Sequence, residues 1–305
     1  MSTREASADW AACRTLLRKQ SPGLYFGSLS LPPRVREPAV VLYAFAQSLA
    51  KTSREATPVA LADIRSRVER VVSDARPSSP IDRAMATVLR DFSIPRALLD
   101  ALVEGFSWDA SGRRYATSSG LLDYCARVSA APGIILCLLM GVRKRSALTR
   151  SCDLSIAVQL TRIVRDVGVH ARSGRLYLPL EWLEEAGVDV DAWLTAPRPT
   201  EPILDVIRRV RKTADSFFLR ADPGIAVLPF DCRPAVRASR YIYAGILSEI
   251  EQRGYDSVTH STRLSWPRKL RLITRALRSS RSETRPLDEG ADPSFAGLVD
   301  AVAIQ

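Results

Sequence analysis

Apolar positions recur at three- and four-residue spacing along most of this chain, and strand-like alternation is absent over any useful length. The segment PAVVLYAFAQSLAKTSRE reads as a helix opened by Pro38 and ended at Thr57-Pro58, because proline suits a first helical turn and blocks a later one. ALADIRSRVERVVSDA follows as a second helix, bounded by the PSSP turn at 77–80. Pro80 or Asp82 starts a third that runs to Phe92, and Pro95 starts another through Phe106. LLDYCARVSAAPGIILCLLMGV holds Pro132 and Gly133 inside a long apolar run and reads as a buried, kinked helix. Further helices are expected around 146–170, 180–186, 200–221, 230–253 and 267–279. The closing stretch, RSSRSETRPLDEGADPSFAGLVDAVAIQ, is polar with late Gly and Pro and reads as a mobile tail. No internal repeat is visible. The pattern predicts one all-α, single-domain helical bundle over residues 1–280, with a tail at 281–305.

Composition narrows the class. The 305 residues are 46% hydrophobic and 25% charged, ordinary values for a globular protein with a substantial core. No run approaches the roughly 20 apolar residues of a membrane span, and MSTREASADW carries no apolar signal segment. Cys13, Cys125, Cys137, Cys152 and Cys232 form no CxxC pair, and two histidines leave little for zinc. The expectation is a reduced, cytoplasmic protein with free thiols. The formal net charge is +11, from 44 Lys+Arg against 33 Asp+Glu. Such a balance suits nucleic acid, an anionic membrane surface or an anionic small ligand. No zinc finger or aromatic single-strand platform stands out, so a nucleic-acid partner is not expected. The densest basic run, RKLRLITRALRSSRSETR at 268–285, is either a set of solvated helix faces or a patch for the inner face of a membrane.

Candidate chemistry gathers around residues 153–170. Gln159, Arg162, Asp166 and His170 fall at i, i+3, i+7 and i+11, so one helix would carry them on one face. Ile156, Leu160, Ile163, Val164 and Val167 cover its other sides. A polar stripe on so apolar a helix either meets solvent or lines an internal polar cavity.

The run QLTRIVRDVGVHARSGRLYLPLEWLEEAGVD, from Gln159 to Asp189, resembles the second aspartate-rich signature of the squalene/phytoene synthase family. RVREPAVVLYAF at 34–45 resembles the entry to that family's first aspartate-rich helix, LLDYCARV its next active-site helix, and IEQRGYDSV its closing segment. The resemblance is nearest to the bacterial phytoene synthases. It implies an isoprenoid-synthase bundle, a carotenoid-type pathway and head-to-head condensation of two geranylgeranyl-sized diphosphates. That chemistry needs Mg²⁺ (or Mn²⁺) held by carboxylates on two facing helices, because diphosphate leaves only when its charge is neutralised. The carbocation that follows needs an apolar, water-free pocket.

Positions that match the family pattern are Tyr43, Gln159, Arg165, Asp166, Arg172, Arg175 and Tyr177. The resemblance makes Tyr43 and Asp166 the catalytic candidates and Asp166 the one candidate metal ligand. The arginines with Gln159 and Tyr177 become candidate diphosphate contacts. The departures cluster. Ala50, Lys51, Thr52, Ser53 and Arg54 occupy the register of the first aspartate motif, with no carboxylate before Glu55, and Gln47 replaces an Arg. Ser21-Pro22-Gly23-Leu24 stands at a phosphate-contacting element, and Ser129-Ala130-Ala131-Pro132 lacks the family glycine. In the second motif Arg162 replaces Asn and His170 the last Asp. One carboxylate and a histidine are a poor set for a hard cation. Lys51, Arg54 and Arg162 could instead supply fixed positive charge for a prenyl diphosphate. The expected role is a non-catalytic prenyl-diphosphate-binding, regulatory or assembly partner in the carotenoid pathway, needing no cofactor. A working head-to-head prenyl transferase with an atypical metal site is the alternative, and a purely structural interaction protein the third reading.

Overall fold

Sixteen α-helices and one π-helical turn make up the regular structure, with no strand among the described residues, which are 3–55, 57–73, 77, 79–278 and 290–303 of a computed structural model. The N-terminal part holds α1 (Thr3–Gln20), α2 (Pro22–Ser28), α3 (Pro33–Ser53), α4 (Pro58–Val72), α5 (Pro80–Asp91) and α6 (Arg96–Ala110). A kinked central helix follows as α7 (Ser118–Cys125), the π turn Ala126–Ala130 and α8 (Ala131–Leu139). Then come α9 (Arg145–Arg165), α10 (Val167–Arg172), α11 (Leu180–Glu185) and α12 (Val190–Thr195). The chain closes with α13 (Glu201–Ile225), α14 (Arg233–Gln252), α15 (Trp266–Arg278) and α16 (Pro293–Asp300).

Local chemistry sets several starts. Thr57, Ser79 and Thr117 each accept the N–H three residues on, at 3.1, 3.1 and 3.2 Å, satisfying a donor the first turn leaves free. Pro38 does not open α3. That helix begins at Pro33 and takes Pro38 into its buried interior, forgoing one backbone hydrogen bond. Pro132 is accommodated differently: the Ala131 N–H reaches back five residues to the Ala126 carbonyl. The resulting π turn is the kink expected from the sequence. The unbroken stretch Ser118–Leu139 is long and apolar enough to cross a membrane by length and composition, contrary to the sequence expectation. In this fold half of its residues are buried inside the protein.

The core is built around α9, which packs on α13, α14, α8 and the π turn. Most of its residues from Ser146 to Val164 are buried, while Ser151, Leu154, Ser155, Val158, Gln159 and Arg162 share one side that is only half-buried. The expected mobile tail is corrected over 290–303. There α16 folds back on α9 and α7, burying Phe295 and Val299, while 281–289 lie outside the described residues. Helices α1, α2 and α12 were not expected. In α1 the buried residues among the described side chains are Asp9, Cys13 and Leu17, within a charged sequence, too sparse a stripe to read. All five cysteines are buried and free.

Candidate functional site

The helix expected over 146–170 breaks at Asp166, whose backbone (φ −113°, ψ 22°) leaves the helical region before α10 begins. The break turns the Asp166 carboxylate toward two donors. Arg165 pairs with it through Nε at 3.0 Å and through Nη2, and Ser261 Oγ donates at 2.6 Å. Although burial acts the other way, these hydrogen bonds hold its pKa below the usual carboxylate range. The segment 257–262 is brought there by Gly168. Its N–H donates to the Ser257 carbonyl at 3.0 Å, and a Cβ on it would stand 1.8 Å from the Val258 carbonyl oxygen. Arg172 closes the same joint, its Nη1 donating to that oxygen at 3.0 Å. Gly168→Ala must push two backbones apart. It is expected to cost about 3 kcal/mol, read as a lowered urea midpoint, and to detach Ser261 from Asp166.

One turn earlier, Arg162 donates to the Tyr243 hydroxyl of α14 at 3.0 Å from Nη2 and 3.3 Å from Nε. Tyr43 of α3 belongs to the same group. Burial pushes its hydroxyl up to about 12, with Tyr243 adding to the effect and Arg162 opposing it. The Tyr243 phenol is held below its ordinary value, because the adjacent guanidinium outweighs burial. Gln159 lies three residues before Arg162 on α9, half-buried.

Beyond the break sits a carboxylate that the sequence did not single out. Asp109, near the end of α6, accepts from Tyr177 at 2.7 Å and Tyr124 at 3.0 Å. Burial nevertheless raises its pKa, against those hydroxyls and against Arg175 and Arg54. Tyr115, Tyr124 and Tyr177 cluster with ring centroids 5.2–6.2 Å apart, Tyr115 and Tyr177 stacked and Tyr124 tilted against both, and His170 meets Tyr177 edge-on at 4.7 Å. His170 and Arg175 line one small depression with Ile163, Val167 and Leu176–Leu178.

Burial holds His170 neutral down to about 4, with Asp166 opposing and Arg175, Arg165 and Arg54 reinforcing. In the unfolded chain the imidazole takes its proton near the usual value of about 6.5. Its folded pKa is therefore the lower one. The stability this contributes is present above pH 6.5 and is lost as pH falls from there toward 4. Unfolding free energies from urea titrations at pH 7 and pH 5 should differ by about 2 kcal/mol from this group, and His170→Gln should remove that part.

At the end of α3, Lys51 and Arg54 are exposed, Ala50 and Thr52 half-buried, and Ser53 buried with its hydroxyl on the Ala50 carbonyl. Arg54 is close enough to act electrostatically on both Asp109 and His170, so the end of α3 faces the α10 side of the cluster. The structure thus brings together Tyr43, Arg162, Arg165, Asp166, His170, Arg175, Tyr177 and Arg54. It gives Arg172 to a backbone carbonyl and the Tyr177 hydroxyl to Asp109. Asp109, Tyr124, Tyr243 and Ser261 were missed as site residues. Tyr124 lay inside the LLDYCARV run that resembles an active-site helix, and Tyr243 left a trace as an aromatic inside a helical apolar pattern.

A model of the squalene/phytoene synthase family matches residues 17–269 of the chain. The chain belongs to the squalene/phytoene synthase family. It is 42% identical to a phytoene synthase of Cereibacter sphaeroides over 98% of this chain and 89% of that one. It is 41% identical to a phytoene synthase of Rhodobacter capsulatus, over 98% and 91% of the two chains. In fold it is similar to a dehydrosqualene synthase crystallised with ligand (TM-score 0.80, 23% identity, 90% of this chain and 97% of that one). It is also similar to squalene synthase HpnC of Alicyclobacillus acidocaldarius (TM-score 0.75, 22% identity, 83% and 97%).

Squalene/phytoene synthase chemistry, as the resemblance implies it, rests on Mg²⁺ held between two sets of carboxylates, and the residues here do not fit such a cluster. Asp166 is already engaged by Arg165 and Ser261. His170 offers a nitrogen where a hard cation prefers oxygen. The facing helix end carries Lys51 and Arg54. Among the described residues no three His, Cys, Asp or Glu side chains come together in a way that could hold a metal ion.

Proposed function

We propose that this member of the squalene/phytoene synthase family binds a prenyl diphosphate through fixed side-chain cations without ionising it. It would act as a regulatory or assembly partner in isoprenoid metabolism. What supports this reading is a charge pattern: by the family resemblance Lys51 and Arg54 stand in the register of the first aspartate motif, and Arg54 acts electrostatically on His170, beside Asp166, Arg165 and Arg175. Guanidinium and ammonium groups neutralise diphosphate oxygens as Mg²⁺ would and bind them in fixed geometry. They do not, however, gather and withdraw charge as a metal cluster does when the C–O bond breaks. Losing one group that stabilises developing charge costs about 10²–10³ in rate, and several are replaced together here.

A second reading is a working head-to-head prenyl transferase with an atypical metal site. What supports it is the relatives: the two that are 42% and 41% identical along almost the whole chain are both named phytoene synthases. One set of measurements separates the readings. Purified protein is given geranylgeranyl diphosphate with Mg²⁺ or Mn²⁺ and assayed for phytoene, and binding is followed by calorimetry in EDTA. Binding in EDTA without product is the expected result. Robust metal-dependent phytoene formation overturns the proposal in favour of the enzyme. Absence of both binding and product leaves an interaction protein.

A further inference from the structure

Helix α15 has the most uneven surface in the molecule. Its thirteen residues, WPRKLRLITRALR, include Arg268, Lys269, Arg271, Arg275 and Arg278 and no acid. At 3.6 residues per turn, Trp266, Leu270, Ile273 and Leu277 fall on a single stripe. Three of the four face outward, Trp266 being 73% exposed, Leu270 53% and Leu277 54%, while Ile273 is half-buried. The helix is held by its other side, where Ala276 is buried and Leu272 packs against Gly245 of α14. Arg268 pairs with Glu249, and Arg275 lies over the Tyr241 ring, so α15 runs antiparallel to α14. Its Leu277 end therefore points toward the start of α14, where Phe230 is 83% exposed. Phe230 is next to Asp231, which is bound to Arg34 in the first turn of α3. Helix α2, carrying the exposed Phe26, packs on α3 and α14.

We propose that α15 docks the protein onto an anionic phospholipid surface, with the Trp266–Leu277 stripe in the boundary between headgroups and acyl chains. Three observations select this occupant. The stripe is too narrow to span a bilayer but wide enough to lie in its interface, and tryptophan settles at headgroup level. The flanking charges are of one sign, within a chain of net charge +11, and so complement anionic headgroups. A second copy of the chain docked on the same stripe would bring two all-basic helices together. The inference does not rest on what the Asp166 site does.

The test uses the full chain with phosphatidylcholine vesicles prepared with and without phosphatidylglycerol. Co-sedimentation should require phosphatidylglycerol and fall as salt screens the surface. Each of Arg271→Gln and Arg278→Gln should weaken it about fivefold. Brominated lipid should quench fluorescence in the parent protein, and the quenching should shrink in Trp266→Phe while binding persists. A Trp266→Ser/Leu270→Ser/Leu277→Ser variant should keep its melting temperature, because these side chains are exposed, and lose binding. Three results would overturn the proposal. One is no sedimentation with either vesicle. Another is a triple variant that binds as the parent does. The third is a solution dimer that the triple variant dissociates, which would make a second copy the occupant.

Discussion

Asp153→Ala is expected to lower the unfolding free energy by about 4 kcal/mol. Asp153 is 1% exposed and stands between two guanidiniums, Arg150 at 3.0 Å and Arg220 at 2.8 Å. Burial pushes its pKa up in spite of both, so the carboxylate is an expensive group held by its partners. Deleting it strands Arg150, itself 6% exposed, as a buried charge with only carbonyl acceptors at Arg220 and Gly290. The same cluster fastens the C-terminal segment, since Arg220 also pairs with Asp292 at 3.6 Å, ahead of α16. A thermal melt should therefore fall by roughly 10 °C, and the α16 segment should become the first to gain protease sensitivity. An Asp231→Ala control breaks an ion pair whose two side chains are about half exposed and should leave the melt unchanged. If Asp153→Ala behaves like Asp231→Ala, the buried cluster is not what secures α16.

Removing charge at the end of α3 is expected to be the largest effect on ligand binding. In EDTA, Lys51→Gln and Arg54→Gln should each weaken geranylgeranyl diphosphate binding about 10- to 100-fold. That range corresponds to roughly 1.5–3 kcal/mol for a hydrogen bond to a charged group. Both side chains are exposed at a helix end, so neither change should move the melting temperature. Arg162→Gln should behave differently. It leaves Tyr243 with a weaker partner inside the bundle and should lower both affinity and stability. Equal affinity for the parent and the Lys51→Gln/Arg54→Gln double variant would mean that the diphosphate, if bound, is held elsewhere. Addition of Mg²⁺ sharpens the distinction. Fixed cations predict affinity that is unchanged or lowered by the metal, whereas a metal-bridged substrate predicts affinity that appears only with it.

Helix positions were legible because periodicity depends on local geometry: a residue's face is fixed by its offset from its neighbours. This served α4, α5, α6, α13 and α14, and the family signature located Asp166 without any structure. Local reading failed where distant chain sections decide. The break between α9 and α10 is one case, since Gly168 is needed only because Val258 passes against it. Residues 290–303 are another. Their polar composition reads as tail, yet Phe295 and Val299 find an apolar surface on α9 and α7, and Asp292 finds Arg220.

The sequence by itself determined the all-helical class, the family and the order of its charged residues, with Lys51, Arg54 and His170 at positions that the resemblance sets against aspartates. Each is a property of order along the chain. Only the tertiary structure decided what those residues meet. It set Asp166 between Arg165 and Ser261, gave Asp109 to two tyrosines, joined Arg162 to Tyr243 and left the α15 stripe uncovered. These pairings link residues up to 95 positions apart. They follow from how buried surfaces close on one another, which no local pattern encodes.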